Sequence, residues 1–141
     1  MYRKQFELSN PEPDNTSIQM NAAGDGDESF VFTLSEPAHL THCIDNYDLT
    51  VVDVWQPGCP PCERVTPKFH DLADNVSEKY PNVAFAVLNS HTGLARVESV
   101  PTILMYEKGN PAPVAVHNGE DGFDSMAANF PKQLRTAFGR R

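Results

Sequence analysis

Cysteine is scarce in this sequence and odd in number, three in 141 residues. Small secreted domains stapled by disulfides commonly carry four or more, so the thiols here read as chemical and not structural. Long apolar stretches are missing as well. The longest, Val83 to Leu88, has six residues, whereas a helix that spans a bilayer needs about 20. Positive charge is in short supply: 11 Lys and Arg against 19 Asp and Glu give 11 − 19 = −8. An acidic surface repels phosphate backbones and anionic headgroups, so no nucleic acid and no membrane is expected among the partners. The start, Met1-Tyr2-Arg3-Lys4, runs into Glu7, Asn10, Pro11, Glu12 and Asp14 with no apolar core of a signal peptide, and a cytoplasmic protein is expected. There is also no length for a second core. What remains, with 40% apolar and 21% charged residues, is one globular domain.

Residues 1–28 are polar and acidic, ending in Gly24-Asp25-Gly26-Asp27-Glu28, and read as an N-terminal extension to a domain over 29–141. Phe6-Glu7-Leu8-Ser9-Asn10-Pro11 is similar to Phe32-Thr33-Leu34-Ser35-Glu36-Pro37. Two such short matches read as coincidence, with an extra edge strand at Phe6 to Leu8 left open.

From Phe30 the pattern sharpens. Phe30 to Leu34 reads as a strand, and Ser35-Glu36-Pro37 opens a helix whose apolar stripe is Leu40, Cys43, Ile44 and Tyr47. Cys43 within that stripe reads as a small buried hydrophobe. Leu49 to Trp55 is apolar and β-branched enough for a central strand, interrupted by Asp53. After Gln56-Pro57-Gly58, Cys59-Pro60-Pro61-Cys62 leads into an amphipathic helix, with Val65, Phe69, Leu72, Ala73, Val76 and Tyr80 on one side and a kink expected at Pro67. His70 and Tyr80 read as helix-face residues without chemistry. Val83 to Leu88 is a further strand, Gly93 to Glu98 a short helix, and Val100 to Tyr106 a strand that turns at Lys108-Gly109-Asn110 into Val114 to Val116. Gly119, Gly122 and Pro131 are expected to break up 117–130, leaving a closing helix from Pro131 to Phe138. The order βαβαβ followed by ββα defines an α/β fold.

The chemistry centres on Cys59 and Cys62. Their spacing lets two sulfurs bond, and a helix N-terminus favours an anion at the first of them. Cys59 is then the nucleophile that attacks a substrate disulfide, and Cys62 the thiol that resolves the mixed disulfide. Zinc also uses this spacing, but no second Cys pair or paired histidines complete four ligands.

At this point the sequence resembles the thioredoxin family over residues 29 to 139. Asp53 and Trp55 stand before the cysteines as in the family's Asp-Phe-Trp, and Pro67 matches its helix proline. Val100-Pro101-Thr102 matches its Ile-Pro-Thr, and Gly109 its hairpin glycine. The resemblance implies a central mixed sheet flanked by helices, a cis peptide before Pro101 beside the cysteines, and Asp53 as acceptor of the Cys62 proton. An aspartate among valines is costly to ionise and should titrate high. Trp55, Gly58, Pro60, Pro61, Val100 and Thr102 are implied to form the surface that meets the substrate. The implied function is reduction of protein disulfides by a monomer with no bound cofactor beyond the Cys59-Cys62 disulfide, electrons coming from an NADPH-dependent thioredoxin reductase. A more oxidising isomerase-like protein and a non-catalytic interaction module are the rival readings. The sequence departs from the family at Pro60-Pro61, where Gly-Pro is usual, at Gly58, where Trp is common, and at Val87, where a buried lysine is usual.

Overall fold

A computed structural model describes residues 30–138. The proposed extension and the strand at Phe6 to Leu8 lie outside the described residues. The elements in chain order are β1 (Val31–Leu34), α1 (Pro37–Asn46), β2 (Leu49–Trp55), α2 (Pro60–Lys79), β3 (Val83–Asn89), β4 (Thr102–Glu107), β5 (Ala115–Asn118) and α3 (Gly119–Phe138). The five strands form one sheet in the order β1-β3-β2-β4-β5. β1, β3 and β2 run parallel, whereas β4 is antiparallel to β2 and β5 antiparallel to β4. The sheet is therefore mixed, as expected.

Side chains alternate across a strand, and β2 shows how this divides the interior. Val51 packs with Val65, Phe69 and Ala73 of α2 and with Phe123, Met126 and Phe130 of α3. Val52 and Val54 face the other way, into a layer with Phe32, Leu34 and the Cys43 and Ile44 of α1. The sheet thus lies between α2 and α3 on one side and α1 on the other, and β2 is buried on both faces. Cys43 is fully buried in the second layer, the structural role read for it.

Two local expectations fail. Gly93 to Glu98 is not helical; a single 3₁₀ turn at Ser90–Thr92 precedes it and ends at Gly93, whose φ of 73° is left-handed. The Gly93 turn and Pro101, which disfavours helical geometry at Val100, leave fewer than two turns of helix between them. The intervening residues run instead as an irregular segment whose Leu94, Ala95, Val97 and Val100 cover the second core layer. At the C-terminal end, one helix of 20 residues replaces the broken segment and short closing helix. Gly119 turns the chain out of β5 with φ +75°, and Gly122 lies so close to His117 that a Cβ there would meet its carbonyl carbon at 2.9 Å. Pro131 sits inside the helix on its exposed side. Burial of Phe123, Met126, Phe130 and Leu134 on one stripe outweighs the local cost of the breakers.

Candidate active site

The C-terminal end of β2 delivers the cysteine pair. β2 ends at Trp55, and Gly58 turns the chain with φ 76°, a backbone angle that an L side chain adopts only with strain. Cys59 then caps α2, with Pro60 and Pro61 as its first two residues. Proline suits a first turn because its missing N–H had no partner within the helix. Cys59 and Cys62 are joined in a disulfide, their Cα atoms 5.2 Å apart.

The Cys62 amide donates a hydrogen bond to Cys59 Sγ at 3.2 Å. With prolines at 60 and 61, this is the first amide after Cys59 able to donate at all. The helix field adds to it, favouring negative charge at the same sulfur. Cys59 is 7% exposed and Cys62 2%. Cys59 is the more accessible sulfur, although the chain around it leaves only a small opening.

Part of that cover comes from the loop before β4. The Val100–Pro101 peptide is cis, Pro101 is buried, and the Val100 carbonyl oxygen lies 3.9 Å from Cys59 Sγ. Thr102 is buried too, its single hydroxyl proton shared between Ser99 O at 2.8 Å and Asn118 Oδ1 at 3.1 Å. The Gly119 amide donates to the Pro101 carbonyl at 2.7 Å. Asn118 and Gly119 thus tie the proline loop to the start of α3. Sequence reasoning missed them, and the glycine directly after a strand was the one available signal. Gln56 was missed as well; its Oε1 accepts a 3.0 Å bond from Ser90 Oγ and joins the loops that follow β2 and β3.

Asp53 lies on β2, the strand that leads to the pair. It is 1% exposed, and neither carboxyl oxygen has a hydrogen-bond partner among the described residues. Alternation along β2 turns it to the α2 side, with Val87 of β3 and Ile103 of β4 beside it in register. Neither neighbour carries charge, so nothing offsets the loss of water and burial pushes the carboxyl up to about 7. Val87 also lines a cavity of about 270 Å³ with Trp55, Gly58, Cys62, Thr66 and His70. Trp55 is half-buried on its wall. Pro60 is exposed and Pro61 half-buried at the helix start.

The structure therefore gathers Cys59, Cys62, Gly58, Pro60, Pro61, Val100, Pro101 and Thr102 at one end of the sheet, with Trp55 on the adjoining cavity wall and Asp53 two residues before it on β2. A thioredoxin family model matches residues 30–131. The chain belongs to the thioredoxin family. Among curated thioredoxin-fold relatives, a protein disulfide-isomerase of Saccharomyces cerevisiae is 28% identical over 102 residues, covering 70% of this chain and 20% of that one. A chloroplastic M-type thioredoxin of Brassica napus is 36% identical over 64 residues, 42% of this chain and 34% of the relative. The chain thus spans between a fifth and a third of these relatives. Among solved structures, the thioredoxin of Malassezia sympodialis aligns with a TM-score of 0.58 at 19% identity, over 77% of this chain and 96% of that one. Thioredoxin from Trypanosoma brucei brucei aligns with 0.61 at 16% identity, over 74% and 91%. A thioredoxin-family domain with its Cys-x-x-Cys pair at disulfide distance carries what thiol-disulfide oxidoreduction requires.

Proposed function

We propose that this thioredoxin-family protein reduces disulfides in protein substrates, with Cys59 as nucleophile and Cys62 as resolving thiol. The observation that carries the reading is the Cys62 amide directed at Cys59 Sγ, at the N-terminus of α2 and beside the Val100 carbonyl. In the reduced protein, the Cys59 thiolate attacks one sulfur of a substrate disulfide. A Cys59–substrate bond forms and the other substrate sulfur leaves as a thiolate. Cys62 gives its proton to Asp53 and attacks Cys59 Sγ, expelling the second substrate thiolate. Two electrons have then passed to the substrate, and the Cys59–Cys62 disulfide remains. Val100 and Thr102 offer backbone to an extended substrate segment, Pro101 holds that loop against the sulfurs, and Trp55, Gly58, Pro60 and Pro61 complete the contact surface. An NADPH-dependent thioredoxin reductase returns the electrons in the cytoplasm, and the protein works as a monomer with no bound cofactor.

The similarity to a relative named protein disulfide-isomerase favours a second reading, in which the couple is more oxidising. Two measurements decide. Purified protein with dithiothreitol should reduce insulin catalytically, and titration against glutathione should place the couple near the −270 mV of thioredoxin and not near the −180 mV of protein disulfide isomerase. A potential near −180 mV would establish the isomerase-like reading, and no turnover would leave a binding module.

A further inference from the structure

Resolving the mixed disulfide moves a proton off Cys62, and Asp53 cannot be its final destination. The carboxyl is 1% exposed and has no hydrogen-bond partner among the described residues, so a proton placed there must still reach solvent. Its neighbours in register, Val87 and Ile103, can neither donate nor accept protons. The cavity over this face of the sheet offers the path. Its lining includes Cys62, Thr66 and His70, four residues apart along α2, with Val87 and Trp55 opposite. Spacing of four places these side chains one above another on a helix. Cys62 is the buried end of that row, whereas Thr66 is exposed and His70 half-buried. At about 270 Å³ the cavity has room for several waters at about 30 Å³ each. The Thr66 hydroxyl is engaged with the Cys62 carbonyl at 3.0 Å, which leaves the imidazole as the group in the row able to accept a proton at one nitrogen and donate one from the other.

We propose that His70 is the proton outlet of the site: it relays the proton released at Cys62 to solvent through the cavity they both line. The proposal rests on the dithiol mechanism above and adds a residue to it. The balance is simple. The Cys62 S–H bond breaks as the Cys62–Cys59 bond forms, the proton taken up by Asp53, whose register neighbour Val87 lines the cavity, passes through water there to an imidazole nitrogen, and His70 then gives a proton to bulk water or to the departing substrate thiolate. The charged groups facing His70 are Glu63, on the same cavity wall, and Asp74, one turn further along α2. β3 contributes only the uncharged Val87 to that wall, with Asp53 of β2 beside it in register.

The test follows oxidation of the reduced protein by glutathione disulfide, read from the single tryptophan, Trp55, on the cavity wall. The rate at low concentration reports attack by Cys59, and its plateau at high concentration reports resolution by Cys62. In dilute buffer at pH 7, His70→Gln and His70→Asn should lower the plateau about tenfold and leave the initial slope unchanged. Imidazole added to the buffer should restore the plateau by supplying the missing base from solvent. A plateau equal to that of the unsubstituted protein in both variants overturns the proposal. So does a reduced plateau that imidazole fails to restore, because a merely structural role would behave that way. If the unsubstituted protein is not oxidised through Cys59 and Cys62 at all, the dithiol mechanism itself has failed.

Discussion

Asp53 and Pro60 are the residues whose surroundings most sharply determine behaviour. A carboxyl raised to about 7 by desolvation binds its proton more tightly in the folded chain than in the unfolded one. Its contribution is fully present below pH 4 and is lost as pH rises towards 7. At about 1.4 kcal/mol per pH unit, the difference from an ordinary carboxyl amounts to on the order of 4 kcal/mol. Asp53→Asn should therefore raise the urea midpoint at pH 7, flatten the decline of stability between pH 4 and 7, and slow resolution of the mixed disulfide. A variant that is less stable and equally active would show the carboxyl to be structural. Pro60 acts through a missing donor. Glycine there restores an amide ahead of the Cys62 amide that already bonds Cys59 Sγ, and a hydrogen bond to a charged group is worth about 1.5–3 kcal/mol. It also loosens the reduced loop. Both effects favour the dithiol form, so Pro60→Gly should lower the Cys59 pKa and make the couple more oxidising by at least about 30 mV, equivalent to about 1.4 kcal/mol. Thiolate absorbance and glutathione titration measure the two quantities. At this scale the sequence showed the cysteines, the prolines and Asp53, because each carries its chemistry in its own type and spacing. It did not show His70, whose place on the cavity wall depends on how α2 lies over β3.

Among elements, α3 separates local signals from tertiary ones. Glycines at 119 and 122 and a proline at 131 argue for interruption, yet one helix forms because Phe123, Met126, Phe130 and Leu134 share a buried stripe. Gly122 is needed there for space, since a Cβ would press on the His117 backbone at 2.9 Å. Gly122→Ala should accordingly destabilise the protein by about 1–3 kcal/mol, despite alanine's better helix propensity, as read from thermal or urea unfolding. The strands were legible because burial on both faces of β2 and β3 produces continuous apolar runs. The segment 93–98 was not, because its apolar residues cover the sheet without any helical spacing being required of them.

Across the whole molecule, α2 and α3 are clamped by surface charge as well as by the core. Glu120 bridges Arg64 at 2.7 Å and Lys68 at 3.2 Å, and Lys68 also reaches Asp124 at 2.8 Å. Arg64 and Asp124 are more than half exposed and Lys68 and Glu120 partly so, so salt should screen them. Glu120→Gln should lower the melting temperature slightly at low ionic strength, and the difference should vanish in 1 M salt. A loss that persists in salt would assign Glu120 a packing role instead.

The βαβαβ and ββα order of the described residues was readable in the sequence, although the short helix expected at 93–98 does not form and α3 runs unbroken. Assembly then brings the end of β2, the start of α2 and the loop before β4 to one edge, and that convergence is the basis of the functional account. Its central claim is the division of labour between the two cysteines, and trapping tests it most directly. A Cys62→Ser variant mixed with an activated disulfide substrate should accumulate one stable mixed disulfide, located by peptide mass spectrometry at Cys59. A mixed disulfide located at Cys43, or no adduct while the unsubstituted protein reduces the same substrate, would contradict the account.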